Sequence, residues 1–418
     1  MVQHLWKYKM KLSAQTFFFY FLIFTNSSNS QWYRQSSGVT TNLYSVFSID
    51  SKTVWASGAN GVILKTTNSG ANWVQKYSGT DKSLSFIKFF NDDDGLALGS
   101  AGVILKTSDG GESWCDVNSG TSIRLQEASF INSIVGWAVG DYGLVIKTTD
   151  GGDSWNTLCQ VTNDNLDFVQ FVNEDIGLTT TELTGEIWKT IDGGESWQLK
   201  YDIPDNIKLW QIYFIDENTG WASGEKSTLL KTSNGGESWN LQNIGYENVS
   251  IRSLYFHNSD EGWLAGKNIE LLKTINGCVN WRAYNNLINS ELLYIFFADQ
   301  YSGWVVGTNG IILYTDNNGG PLPTVVENFS AQINGDEINL FWQTSSELNN
   351  KGFEIQRKKE NGNWYDIVFI DGRGTIEELT NYNYIDCLQC TGTYYYRLKQ
   401  TGLDGKVFFM NEVKIILK

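Results

Sequence analysis

Proline occurs only three times in 418 residues, methionine three times, histidine twice and cysteine five times. One histidine, His4, lies at the extreme N-terminus, so His257 is the single imidazole left for proton transfer or metal binding in the body of the chain. Catalysis by a Ser-His or Cys-His pair has nothing to orient its base, and His257, in the turn "YFHNSD", reads as a surface histidine. Of the cysteines, Cys387 and Cys390 in "CLQC" are spaced to close a small loop as a disulfide or to remain free thiols; a zinc site lacks two further ligands. Long apolar runs are also missing. "FFFYFLIF", Phe17 to Phe24, is too short to span a bilayer. It follows Lys7, Lys9 and Lys11 and precedes the small residues "SSNS", the layout of a secretory signal at 1–30, which predicts an exported mature chain with no membrane span. Without that segment, three of 31 basic residues and none of 46 acidic ones are removed, leaving 28 against 46, a net charge of −18. Such an acidic balance excludes nucleic acid and anionic membrane as partners.

What is abundant is glycine, at 41, and aromatic side chains, at 14%. Together they predict short strands and tight turns. A repeat organises them. Trp73, Trp114, Trp155, Trp197, Trp239 and Trp281 are spaced by 41 or 42 residues, each with a lysine eight positions earlier, from Lys65 to Lys273. A second marker, such as "GLALG", "GWAVG" or "GWVVG", recurs seven times. Each unit holds four apolar segments separated by Gly and Asn/Asp clusters, which predicts an all-β fold, a seven-bladed β-propeller over 31–320. The seventh unit has Leu322 and Pro323 where its Trp is due, whereas Trp32 stands 41 residues before Trp73. The N-terminal strand is therefore expected to complete blade seven and close the ring.

The recurrent "TSDGGESW", Thr107 to Trp114, poses the functional question. Its pattern is met by Asp109, Gly111 and Trp114, by Asp150, Gly152 and Trp155, by Asp192, Gly194 and Trp197, and by Asn234, Gly236 and Trp239. One copy per blade cannot converge on one substrate, and Asn in place of Asp suits a turn cap but not an acid catalyst or metal ligand. The motif resembles the Asp-box, or BNR, repeat of sialidases and related propellers, in which it forms the hairpin between a blade's third and fourth strands. The lysine row reads as a solvated face near Glu112, Asp153, Glu195 and Glu237. "NDDDG", Asn91 to Gly95, reads as a turn rather than a calcium loop.

A binding surface has to come from positions where blades differ. Four residues before the inner-strand phenylalanines the row runs Ser85, Gln126, Asp167, Trp210, Arg252 and Leu293, while two residues before them it is uniformly apolar. The first five are the candidate partner-binding residues. No catalytic residue and no metal ligand stands out: the arginines Arg34, Arg124, Arg252 and Arg282 lack the sialidase context, and no acid pair rises above the acidic background.

Repeats of the form "GVILKTSDGGESW" in seven units resemble the photosystem II stability and assembly factor type of BNR propeller. That resemblance implies a non-catalytic, cofactor-free protein that binds another protein. The segment 321–418 alternates apolar and polar residues over about seven strands, with Trp342 as a core residue and "YYYRLKQ", Tyr394 to Gln400, similar to the tyrosine-corner strand of fibronectin type III-like sandwiches. It resembles the module that precedes sorting signals in Bacteroidota proteins exported by type IX secretion. The expected protein is thus a secreted, periplasmic or cell-surface monomeric scaffold for a protein or glycan partner. The alternatives are a propeller glycoside hydrolase of sialidase or endoglucanase type and a carbohydrate-binding or adhesion module.

Overall fold

In a computed structural model, the residues described are 32–268, 271–284, 290–319, 325–335, 337–376, 379–388, 390–403, 407–410 and 412–417. The signal-peptide expectation at 1–30 lies outside them. Seven four-stranded antiparallel sheets follow one another along the chain. Blade two shows the plan: Leu84–Phe89 innermost, then Asp94–Gly99, Ile104–Ser108 and Cys115–Val117 outermost. The inner strands pack blade to blade right round the ring, and the inner strand of blade one, Leu43–Ser48, packs on that of blade seven, Leu292–Phe297.

Blade seven takes its outer strand from the other end of the chain. Tyr33–Gln35 pairs antiparallel with Ile312–Thr315, with Arg34 opposite Leu313. Trp32 anchors this seam: it is 3% exposed and packs edge-on against Trp263 and Phe297, ring centroids 5.3 and 5.8 Å away. The closing strand thus buries an indole in the same core that joins blades six and seven.

Between blades the contacts repeat as well. Trp55 stacks on Phe89 of the next blade at 3.6 Å, as Trp137 does on Phe171 at 3.6 Å and Trp221 on Phe256 at 3.7 Å. The indole N–H of Trp55 donates to the Gly110 carbonyl at 3.0 Å and that of Trp137 to the Gly193 carbonyl at 2.7 Å, so each reaches the box hairpin of its neighbour.

In the C-terminal segment the long strand Glu337–Lys359 serves two sheets. Its first part pairs with Val325–Asn334 and Thr380–Cys387, its second with Tyr365–Ile376 and Gly392–Gly402, and the latter strand also pairs with Val407–Phe409 and Val413–Leu417. Trp342, Phe353, Ile355, Tyr396 and Leu398 fill one core. Where the strand passes between sheets, the fully buried Glu347 carboxylate accepts hydrogen bonds from Thr344, Asn350 and the Arg373 amide at 2.8–3.0 Å, which replace the water it has lost. The Tyr394 hydroxyl donates to the Cys390 carbonyl four residues upstream at 3.0 Å. Cys387 and Cys390 stand as exposed free thiols, with the buried Leu388 between them.

Candidate functional site

The Asp boxes spend their polar atoms on their own turns. Thr107 Oγ1 donates to Asp109 Oδ1 at 2.8 Å and accepts from the Gly111 amide at 2.9 Å; Asp109 Oδ1 in turn accepts from the Ser113 amide at 2.9 Å and Oδ2 from the Ser113 hydroxyl at 2.5 Å. The boxes of Asp150 and Asp192 repeat this geometry, and Asn234 keeps the Thr232 and Ser238 bonds at 2.9 and 3.0 Å. Those hydrogen bonds, the Ser hydroxyl foremost, hold the carboxyls of Asp109, Asp150 and Asp192 down at about 2. Gly111 has φ +85°, and a Cβ there would press on Trp55 and Trp114 at 3.2–3.3 Å, so glycine is required. The box tryptophans Trp114, Trp155, Trp197 and Trp239 lie edge-on to the inner-strand phenylalanines of their own blades at 5.9–6.0 Å.

The lysine row departs from the expected solvated face. Lys189 and Lys273 are buried, and Lys65, Lys147, Lys231 and Lys273 lie over their cross-strand tryptophans at 4.8–5.4 Å. Their ammonium groups reach the acid of the next blade's box: Lys65 meets Glu112 at 3.6 Å, Lys189 meets Glu237 at 2.6 Å, and Lys106 pairs with Asp153. A lysine directly opposite a tryptophan across an antiparallel pair lays its stem on the ring, and this removes it from water. His257 also departs from the surface reading: it is half-buried against Tyr255 and Phe297, its Nε2 has no partner, and burial lowers its pKa. In "NDDDG" the Asn91 side chain accepts from the Asp93 and Asp94 amides, the bonds of a turn. Among the described residues no group of three or more His, Cys, Asp or Glu is placed to hold a metal ion, and no helix is long and apolar enough to cross a membrane.

At the opposite end of the inner strands is a cavity of about 610 Å³. Ser85, Gln126, Asp167, Trp210, Arg252 and Leu293 all line it, one from each of six blades, and Tyr44 supplies the seventh. The backbone shows why. In every blade the ladder between the first two strands slips by one residue at this position: Leu84 faces Gly99 and Phe86 faces Leu98, leaving Ser85 unpaired. The same slip leaves Tyr44, Gln126, Asp167, Trp210, Arg252 and Leu293 without a ladder partner. A β-bulge re-aims the extra side chain, so seven bulges turn seven unlike side chains onto one channel mouth.

Tyr44 escapes the phenylalanine alignment because Ser48 stands in the matching position. A different signal holds in all seven: a buried apolar pair stands at i and i+3, as in Leu43 and Val46 or Leu84 and Ile87, with the bulge residue at i+1, a spacing that strict alternation does not give. The lining also takes residues from loops at this end, Arg124, Lys208 and Glu291 before inner strands and Glu182 after the second strand of blade four. Arg252 lies over the Trp210 ring at 3.8 Å and donates to Glu291 at 2.5 Å; Arg124 pairs with Asp141 at 2.9 Å; Glu182 lies 3.8 Å from Arg124 and 3.7 Å from Lys208. Gln126 donates to Asp167 at 3.2 Å. Ser85 spends its hydroxyl on the Leu98 and Leu125 carbonyls. Burial, with Glu182 nearby, pushes the Asp167 carboxyl up to about 8 despite Arg124, Arg252 and Lys208.

A family model described as photosynthesis system II assembly factor YCF48 matches residues 21–108, 78–202 and 199–287. The chain belongs to that family. Among solved structures, the family's "YCF48 bound to D1 peptide" is 19% identical with a TM-score of 0.61, aligning 69% of this chain with 96% of that one. YCF48 from Cyanidioschyzon merolae is 17% identical at a TM-score of 0.60, over 68% of this chain and 98% of that one. A GH74 enzyme of Niastella koreensis is 16% identical at 0.55, over 91% of this chain and 74% of that one. These likenesses establish the propeller fold. No curated protein matches the chain.

Proposed function

We propose that the protein is an exported, non-catalytic scaffold whose propeller, 31–320, receives a segment of a partner protein at the bulge-lined mouth. One observation carries this reading. The blades share the four-stranded plan and the Thr-capped box turns that hold the ring together and are unlike at the seven bulges. The solved relative with a D1 peptide supports a peptide-sized guest for this family. The segment 321–418, with its fibronectin type III-like character, serves as a spacer, and 1–30 directs export into the periplasm or to the cell surface. The protein acts there as a monomer and without a cofactor.

A hydrolase reading has one observation in its favour: Asp167, held protonated near neutral pH, lies close to Glu182, the mixed state that glycosidases use. Alanine at Asp167 and at Arg252, in the full chain, separates the two. For a scaffold, both variants show the same lack of turnover on a glycan panel as the wild type, and both lose a partner that the wild type retains from the envelope fraction. Turnover abolished by either change overturns the scaffold.

A further inference from the structure

The mouth carries an imbalance of charge. Arg124, Lys208 and Arg252 are matched by Asp141, Glu182 and Glu291, and the pairs among them leave none of the six alone. Two carboxyls stand outside these pairs. Asp167 receives a single hydrogen bond, from Gln126. Glu127, next to Gln126 on the adjoining blade, is 5% exposed, lines the cavity and accepts only a long 3.4 Å bond from the Ala128 amide. Glu127 also lines a second cavity of about 290 Å³ that continues down the channel, so it marks the waist between the two. Lys88 lines that second cavity, 5.3 Å from the centre of the Phe47 ring. The axis therefore presents a carboxyl at the mouth, a buried carboxyl at the waist and an ammonium below.

We propose that the mouth takes one basic side chain, a lysine or arginine of the partner segment, which enters along the channel axis and lies against Asp167 and Glu127. The inference rests on the protein-binding reading above and names what that site selects. With Asp167 protonated the upper ring is neutral; with it ionised there is one excess negative charge, which a guest cation cancels. Lys88 limits the depth by repelling a second cation from below. The Trp210 ring lines the same cavity and already carries Arg252 at 3.8 Å and Lys208 at 5.4 Å, so the wall of the mouth already holds cations against an aromatic face.

The groups that face Asp167 are Arg124 and Glu127 from blade three, Glu182 from its own blade, Lys208 from the loop into blade five and Arg252 from blade six. Burial outweighs the three cations and holds Asp167 near 8, so a cationic guest has to expel a proton at neutral pH. Its apparent affinity then follows the ionised fraction, which rises roughly twentyfold between pH 6.5 and 8.5 for a carboxyl of that pKa.

The test is calorimetric titration of the full chain with a capped pentapeptide, Gly-Ser-Lys-Ser-Gly, and its norleucine counterpart. The lysine peptide binds, tightens roughly twentyfold from pH 6.5 to 8.5, and near pH 7 releases about one proton, read from two buffers of different ionisation heat. Asp167→Asn removes the larger part of the tightening and of the proton release and leaves only what Glu127, whose carboxyl burial also raises well above the usual range, contributes. Thermal melting checks that this isosteric variant is folded, and Glu127→Gln is a second variant that weakens binding. Equal binding of the norleucine peptide, no binding at pH 8.5, or an unchanged pH profile in Asp167→Asn overturns the proposal, as does loss of peptide binding to competing calcium or manganese alone. If the peptide fails while alanine at Arg252 still loses the envelope partner, the basic-residue inference falls and the scaffold stands. If both fail, both fall.

Discussion

Aspartate sits at the two ends of the blades in opposite states. At the box end Asp109, Asp150 and Asp192 are open to water and ringed by donors, and they stay ionised down to about pH 2. At the mouth the half-buried Asp167 has one donor, and it holds its proton up to about 8. The first arrangement lowers the energy of the folded chain. The second keeps a charge in reserve, at some cost to stability, which is the usual mark of a site kept for a guest.

The sharpest test of that division sets two tryptophans against each other. Trp32→Ala empties the seam of the ring and is expected to cost about 3–5 kcal/mol, seen as an earlier denaturant midpoint. Trp210→Ala, at the mouth, is expected to lower partner retention while moving that midpoint far less. A comparable loss of stability in both breaks the comparison. A smaller contrast is Thr148→Val, which leaves the buried Gly152 amide without the acceptor it meets at 2.8 Å and costs about 1–3 kcal/mol.

The gentlest test is pH. The box carboxyls have folded pKa values below their unfolded ones, so their stabilisation is complete above about pH 4 and is lost as pH falls towards 2. For Asp167 the sign is reversed. The unfolded chain releases that proton near pH 4 and the folded one near 8, so stability declines as pH rises between them. Melting temperatures of Asp167→Asn are therefore expected to exceed the wild type's at pH 8 and to converge with it at pH 4. Asp150→Asn is expected to retain the fold, as Asn234 does natively, and to soften only the acid limb.

The ring was legible because its period is written in tryptophan and glycine, and the seam because Trp32 falls one period ahead of Trp73. The varied row was legible as variation. The bulge beneath it is written only in the i, i+3 spacing of buried pairs such as Leu84 and Ile87, a helix-like step inside a strand that obscures it, and one serine, Ser48, hid Tyr44. The lysines misled because the sequence shows a charge but not the tryptophan or leucine directly across the ladder, nor that the carboxylate met by Lys65 or Lys189 belongs to the next blade's box. Pairings such as Glu182 with both Arg124 and Lys208 join loops of three blades, and no local pattern records them.

The seam has a consequence for the order of events when the chain folds. Six blades can form as their own 42-residue units arrive, each from contacts close in sequence. The seventh needs Arg34 to meet Leu313, so until Ile312–Thr315 is available the assembly is an open crescent with two bare edges. The last step of folding is thus a meeting of distant ends, and the mouth, which draws one side chain from every blade, comes into being only when that crescent shuts.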